Sequence, residues 1–173
     1  LTTADSLIRS GAARGALVIG SEVYSRILNW QDRGTCVLFG DGAGAVFLRA
    51  GEGRGTLDRG ILSTHIHAQG TLGDILYVDG AVGQPDKSGH LIMKGPEVFR
   101  HAVLRLAAAV DEALAANGLT RRDVDWLVPH QANLRIIEAM GKRLGLPAER
   151  VVVTVDRHAN TSAASVPLAL AEA

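Results

Sequence analysis

Apolar residues recur along the chain with two spacings, one typical of helices and one typical of buried strands. An amphipathic stretch predicts a first helix over Thr2–Arg9. Short apolar runs at 16–19, 35–39 and 45–48 predict strands, and we expect the first of them to be buried on both faces. Glycines at 40–44 predict a tight turn between the last two.

In the middle of the chain, the pattern of apolar and polar residues predicts one strand, a long loop, a second strand and a long helix. Residues 61–67 alternate apolar with polar as a half-buried strand does, and residues 69–89 are predicted to form a loop. A short strand is predicted at 91–93, and a helix from Gly95 to Asn117–Gly118, with proline and glutamate in its first turn. The apolar stripe of this helix comprises Phe99, Val103, Leu106, Val110 and Leu114.

The last third of the chain continues the alternation of strands and helices. The pattern predicts a capped turn at 120–123, a buried strand at 126–128 and an amphipathic helix at 133–144. A last strand at 151–154 and a helix at 166–173 follow. We therefore predict an α/β or layered αβα fold with much parallel strand pairing.

Composition narrows the class of protein. The chain has 173 residues, 47% of them hydrophobic, with 18 basic and 18 acidic side chains. Zero net charge argues against a general binder of nucleic acid or membrane surfaces, because such affinity is mostly electrostatic. One cysteine excludes a disulfide framework, and no apolar run approaches the roughly 18 residues that span a bilayer. We expect a cytoplasmic protein. The polar, glycine-rich residues 51–60 are predicted to form a boundary between two halves of the chain.

The strongest local signal for chemistry lies at 128–135, where a predicted strand ends and a helix begins. His130 and Asn133 would lie at the carboxyl end of the strand, where open α/β sheets bind ligands. A helix N-terminus disfavours imidazolium, so we expect a neutral His130 that donates a hydrogen bond to developing negative charge. A buried histidine bonded to a backbone carbonyl is the structural alternative.

A second candidate follows the predicted strand at 151–154. Asn160 lies among small residues, which would let a thioester approach its amide closely. A capped loop is the alternative, since Asn, Thr and Ser all cap helices.

Cys36, His130 and Asn160 have the chain order of a papain-like thiol hydrolase. However, Cys36 lies inside an apolar run and no helix start is present to activate its thiol, so we expect a core residue. A hydrolase that uses Cys36 remains a second hypothesis.

Two further patterns are weaker. Residues 40–44 (GDGAG) match neither phosphate-binding fingerprint, and a turn with positive φ is expected there. His65 and His67 share one predicted strand face, but no third ligand has a suitable spacing, so no metal site is predicted.

Arg135, Lys142 and Arg143 recur close to one face of the helix that follows His130. Such residues usually form a solvated surface. A basic patch beside a candidate site is also suited to docking an acidic carrier.

Three segments together resemble the β-ketoacyl-acyl-carrier-protein synthase III family: 129–135 (PHQANLR), 156–167 (DRHANTSAASVP) and 39–45 (FGDGAGA). The resemblance implies a thiolase-like αβαβα fold, here incomplete, and normally a homodimer. It also implies condensation of acetyl-CoA, or another acyl-CoA, with malonyl-acyl carrier protein at the start of fatty acid synthesis. Residues 1–56 would complete the first thiolase-like half, and 57–173 would form most of the second.

The family's catalytic set is Cys, His and Asn, and the resemblance assigns the last two roles to His130 and Asn160. Both would donate hydrogen bonds to the enolate-like oxygen, and coenzyme A enters as a thioester substrate, with no prosthetic group. The resemblance implies coenzyme A contacts at Arg33, Gly95, Phe99, Asn133 and Ile136. It implies carrier-protein docking at Gln131, Ala132, Asn133, Leu134 and Arg135.

The family pattern places the nucleophilic cysteine a few residues ahead of Leu1, and it places two further strands after Ala173. From this family pattern we expect about half of the full enzyme to lie outside the chain, which also has no initiator methionine. The motifs are also compatible with a related ketosynthase of polyketide type and with a catalytically inert fragment.

Overall fold

The structure is a computed structural model that describes residues 1–51, 60–80, 84, 86 and 89–173. The helices are α1 (Thr2–Arg9), α2 (Gly95–Ala116), α3 (Leu134–Leu144), α4 (Val155–His158) and α5 (Ser165–Glu172). The strands are β1 (Gly15–Glu22), β2 (Gly42–Arg49), β3 (Leu76–Val78) and β4 (Leu91–Met93). Single 3-10 turns lie at Tyr24–Arg26, Gly70–Leu72, Arg121–Asp123, Ala148–Arg150 and Ser162–Ala164.

β1 and β2 form an antiparallel pair over their full length, from Gly15 opposite Arg49 to Glu22 opposite Gly42. One face of the pair packs against α5 and the Ser162–Ala164 turn. The other face exposes large apolar side chains, namely Leu17, Ile19 and Phe47. The prediction that β1 is buried on both faces is therefore wrong for this chain, because nothing in the described residues covers its second face.

The glycines at 40–44 do not form the predicted turn. Gly42 and Gly44 lie inside β2, and neither has a positive φ. A Cβ on Gly42 would lie 2.9 Å from Cγ2 of Thr161, and one on Gly44 would lie 3.0 Å from Cβ of Pro167. These glycines therefore allow the segment that contains Asn160 and α5 to approach the strand.

Residues 35–39 form a turn rather than the predicted strand. Asp32 accepts hydrogen bonds from the Gly34 amide at 2.9 Å and from the Thr35 hydroxyl at 2.7 Å. The Leu38 amide then bonds back to the Thr35 carbonyl at 2.9 Å. This local network bends the backbone, and Phe39 alone keeps a bridge, which is parallel and pairs with Asn160.

Other predicted strands are absent or shorter in the described part of the chain. Residues 61–67 have no strand, and those at 126–128 and 151–154 reduce to one parallel bridge between Leu127 and Val151. Both ladders, β1 with β2 and β3 with β4, are antiparallel, so the predicted parallel pairing is limited to isolated bridges. β3 lies inside the predicted loop at 69–89.

Helix predictions are confirmed closely. α2 begins at Gly95 and is followed by Asn117 and by Gly118 with φ 65°. α3 begins after Asn133, whose side chain accepts the Ile136 amide at 3.0 Å, and it ends at Gly145 with φ 70°. Its buried residues are Ile136, Ile137, Met140, Gly141 and Leu144. The boundary predicted at 51–60 lies mostly outside the described residues.

Candidate active site

His130 lies between the Leu127 bridge and the start of α3, as the sequence predicts. Its Nδ1 atom is 2.6 Å from the hydroxyl oxygen of Ser165, the first residue of α5. Burial lowers the pKa of His130 below its ordinary value, because a charged imidazole loses hydration there. The imidazole is therefore neutral at physiological pH.

Asn160 is buried, and its main chain is bonded to the segment that leads into β2. Its amide donates to the Leu38 carbonyl at 2.8 Å, and its carbonyl accepts from the Gly40 amide at 3.1 Å. Its side-chain Oδ1 accepts the Ser162 amide at 3.0 Å. Within the described residues, its Nδ2 has no hydrogen-bond partner, so this donor is available to a ligand.

One turn links the two candidate residues. Ser162, which donates to Asn160, accepts through its carbonyl the hydroxyl proton of Ser165 at 2.8 Å. Ser165 in turn contacts His130. A chain of hydrogen bonds thus runs from Asn160 to His130 through Ser162 and Ser165.

The backbone beside Asn160 adopts conformations that non-glycine residues rarely take. Ala159 has φ 59° and Ser162 has φ 46°. Such strain persists where the surrounding structure over-determines it, and it concentrates at functional sites. The two outliers lie one residue before Asn160 and two residues after it.

Gln131 is fully buried and joins the His130 segment to the chain before α4. Its Nε2 donates to the carbonyls of Pro129 at 3.0 Å and Val152 at 3.1 Å. Its Oε1 accepts the amides of Thr154 at 2.7 Å and Val155 at 3.1 Å. Both polar atoms of its side chain are therefore occupied, and a docking contact would have to come from exposed neighbours.

Two positioning residues, Gln131 and Ser165, were not predicted as such from the sequence. Gln131 was assigned to docking, and Ser165 was part of a generic capping segment. The polarity of a residue directly after His130 was the one available signal, because each side chain also binds a residue that is distant in the sequence: Val152 lies 21 residues from Gln131, and His130 lies 35 residues from Ser165.

The remaining predicted site residues lie in varied surroundings. Asn133 caps α3, and Ile136 is buried in its core at 2% exposure, whereas Leu134 and Arg135 are exposed. Ala132 is half-buried. Arg33 lies on an exposed loop, Gly95 begins α2, and Phe99 is partly exposed one turn later. The coenzyme A contacts inferred for these residues remain predictions.

Cys36 is half-buried in the turn at 35–39 rather than in a core strand. No hydrogen bond joins it to His130 in the described part of the chain, where Nδ1 of His130 is occupied by Ser165. The structure therefore gives the thiol hydrolase hypothesis no supporting contact.

His65 and His67 both contact one carboxylate. Nδ1 of His65 is 3.1 Å from Oε1 of Glu112, and Nε2 of His67 is 2.6 Å from Oε2. Their pairing ties the segment before β3 to α2. No group of potential ligands with the arrangement of a metal site occurs among the residues described.

Comparison with known proteins identifies the family of the chain. A family described as "3-Oxoacyl-[acyl-carrier-protein (ACP)] synthase III" matches residues 1–70, and its C-terminal counterpart matches residues 114–173. The chain belongs to the 3-oxoacyl-acyl-carrier-protein synthase III family, as its motifs predicted.

Individual relatives agree with this assignment. The chain is 73% identical over its whole length to the β-ketoacyl-acyl-carrier-protein synthase III of Acidiphilium cryptum, and it covers 53% of that protein. The crystal structure of 3-oxoacyl-acyl-carrier-protein synthase III from Aquifex aeolicus matches 98% of this chain and 52% of its own, with TM-score 0.89 and 43% identity. The priming β-ketosynthase of the R1128 polyketide pathway matches 99% of this chain and 52% of its own, with TM-score 0.81 and 37% identity.

These matches confirm the predicted thiolase-like α/β fold. The chain spans about half the length of the curated relatives it matches. In the described part of the chain, no helix is long and apolar enough to cross a membrane.

Proposed function

We propose that the whole protein is a condensing acyltransferase that joins an acyl-CoA, acetyl-CoA in the first instance, to malonyl-acyl carrier protein. The products are 3-ketoacyl-acyl carrier protein, CO2 and coenzyme A. The observation that carries the proposal is the hydrogen-bonded link between His130 and Asn160, which leaves Nδ2 of Asn160 available in a member of this family.

The proposed reaction divides into two covalent stages. A cysteine thiolate, placed outside this chain by the resemblance, attacks the acyl-CoA carbonyl, and coenzyme A leaves as its thiolate. The malonyl thioester then loses CO2, and the electron pair of the broken bond forms an enolate. The enolate carbon attacks the acyl-cysteine carbonyl, and the cysteine thiolate leaves again.

Asn160 and His130 act on the oxygen of the malonyl thioester, where negative charge develops. The Asn160 amide carries its protons in every state and is the constant donor. A donor held in place before the reaction needs no reorganisation, which makes such contacts effective in a partly buried site. The contribution of His130 depends on whether its Nε2 carries a proton.

We test this function on a chain extended at both ends to the length of the relatives. His130→Ala and Asn160→Ala are each expected to lower malonyl decarboxylation and condensation by about 10²–10³-fold, because each removes a group that acts on the oxygen where negative charge develops. His67→Ala is the matched control, because it removes an exposed imidazole that contacts Glu112 instead. Wild-type rates in either site variant would contradict the assignment. A hydrolytic activity that stops on alkylation of Cys36 would favour the thiol hydrolase instead.

Carrier docking is proposed at the start of α3, beside His130. Leu134 and Arg135 are exposed there, and Arg135 offers a positive charge to an acidic carrier. Arg143 at the far end of the helix already contacts Asp111 at 3.4 Å and is less available. The same resemblance extends the proposal to a cytoplasmic homodimer.

Arg135→Glu in the extended chain is expected to raise KM for malonyl-acyl carrier protein several-fold, with little change in kcat, because a surface charge acts on encounter. Arg100→Glu, an exposed arginine on α2, is the control. Equal KM values for the two variants would place the docking surface elsewhere.

A further inference from the structure

The Ser165 hydroxyl lies between three polar groups. Its oxygen is 2.8 Å from the carbonyl oxygen of Ser162 and 2.6 Å from Nδ1 of His130. The backbone amide of Gln131 points at the same oxygen from 3.3 Å. Ser165 is almost completely buried, at 1% exposure, so water does not share these contacts.

Counting protons assigns a direction to each contact. A contact of 2.8 Å between two oxygens, and one of 2.6 Å between oxygen and nitrogen, each requires a proton between the two atoms. The hydroxyl supplies one proton, and the Ser162 carbonyl supplies none. The hydroxyl proton therefore goes to Ser162, and His130 must supply the proton of the other contact from Nδ1.

We propose that Ser165 is a positioning residue that holds His130 in the tautomer with its proton on Nδ1, so that Nε2 is left as a bare acceptor. The proposal rests on the proposed function in taking His130 as the reacting imidazole. It changes the expectation from the sequence, where a neutral His130 was to donate a hydrogen bond. With this tautomer, Nε2 first takes the proton that the nucleophilic cysteine thiol loses when it becomes the thiolate, and Nε2 donates a hydrogen bond only once it is protonated.

Neighbouring hydrogen bonds hold both residues of the contact between His130 and Ser165. The Gln131 side chain binds the carbonyls of Pro129 and Val152, which anchors the backbone on either side of His130. The carbonyl of Ser162, a residue with φ 46°, accepts the hydroxyl proton of Ser165. The Ser165 hydroxyl has no second proton to donate. Ser165 is thereby limited to accepting from the imidazole.

The first test reads the tautomer directly in the chain extended at both ends to the length of the relatives. With ¹⁵N-labelled histidine, two-bond ¹H–¹⁵N correlation spectra near pH 8 should show Nδ1 of His130 as protonated and Nε2 as unprotonated. His130→Gln identifies the signals by their loss. The opposite pattern in the wild-type chain would overturn the proposal, and this readout needs no turnover.

Ser165→Ala is expected to shift the His130 signals toward a mixture of tautomers, because the acceptor for Nδ1 is gone. Ser165→Thr keeps the hydroxyl and should restore the wild-type pattern if the chain accepts the extra methyl group. Ser10→Ala, which removes an exposed hydroxyl at the end of α1, is the control. Unchanged His130 signals in a folded Ser165→Ala chain would show that Ser165 does not set the tautomer.

An activity measurement on the extended chain separates this proposal from the proposed function. Ser165→Ala should lower kcat several-fold and leave KM nearly unchanged, because only the fraction of the chain that carries the required tautomer of His130 reacts. If the wild-type extended chain does not condense the substrates, the function fails while the tautomer result still stands. An unaltered kcat in Ser165→Ala would overturn the positioning role alone.

Discussion

Asn160 is positioned by its backbone more than by its side chain. Two main-chain hydrogen bonds join it to Leu38 and Gly40, and residues of positive φ lie one position before it and two after it. Its Oδ1 binds the Ser162 amide, which orients the side chain and directs Nδ2 away from that turn. A donor in this position is rigid before any ligand arrives, as stabilisation of an oxyanion requires.

Gly20 shows how closely the turn after Asn160 packs against β1. A Cβ at Gly20 would lie 2.2 Å from the carbonyl oxygen of Ala163, a distance that neither backbone can relieve without moving. We expect Gly20→Ala to lower the free energy of unfolding by about 1–3 kcal/mol, because an added methyl group overpacks the contact. Urea denaturation measures this change.

Gly51→Ala is the matched control, because a Cβ there would meet no atom within 4 Å. Its effect should stay within about 0.5 kcal/mol of the wild-type value. Equal stabilities for the two variants would show that the Ser162–Ala164 turn adapts, and that close packing does not hold it.

At the level of elements, local signals predicted helices well and strands poorly. α3 has its own cap at Asn133, its own stop at Gly145 and a helical spacing of apolar residues, so its bounds can be read within one segment. A strand is defined by its partner. The apolar runs at 126–128 and 151–154 pair with each other through a single bridge. The spacing of residues within either run could not predict this pairing.

The predictions for the candidate site also succeeded where the signal is local and not where it depends on distant contacts. His130 and Asn160 were predicted because each stands in a recognisable motif. Ser165 and Gln131 were not predicted in their roles, because these depend on contacts between segments that folding brings together. The strand predicted at 35–39 did not form, because the backbone amides of Thr35 and Cys36 bond to the Asp32 carbonyl in a turn. The Asp32 side chain supports this turn by accepting the Gly34 amide.

In the part of the molecule that the structure describes, four groups whose pKa is lowered by the fold favour the folded state at neutral over acidic pH. Hydrogen bonds from Ser25 lower the pKa of Asp41, and contacts with His67 and then His65 lower the pKa of Glu112. His158 and Arg157 do the same for the pKa of Glu172. Burial lowers the pKa of His130, for the separate reason that a charged imidazole loses hydration. All four pKa values are lowered, although the physical causes differ.

These shifts predict that the free energy of unfolding falls in two steps as pH is lowered. A group with a lower pKa in the folded chain binds its proton more readily in the unfolded chain, so acid favours unfolding. The first step begins near the ordinary histidine pKa of 6.5 and comes from His130. The second begins near the ordinary values of 3.8 for aspartate and 4.5 for glutamate.

Urea denaturation from about pH 8 to about pH 2 covers both steps, because the carboxylate step continues down to the lowered pKa values of the folded chain, and two variants assign them. His130→Gln should flatten the step below 6.5 and keep the carboxylate step, because glutamine does not titrate. Asp41→Asn should weaken the second step and leave the first, because its partner Ser25 does not titrate in this range. A wild-type chain that gains stability between about pH 7 and about pH 5 would contradict the sign of the His130 shift. The neutral imidazole at rest, on which the assignment of Nε2 as an acceptor depends, would then be wrong as well.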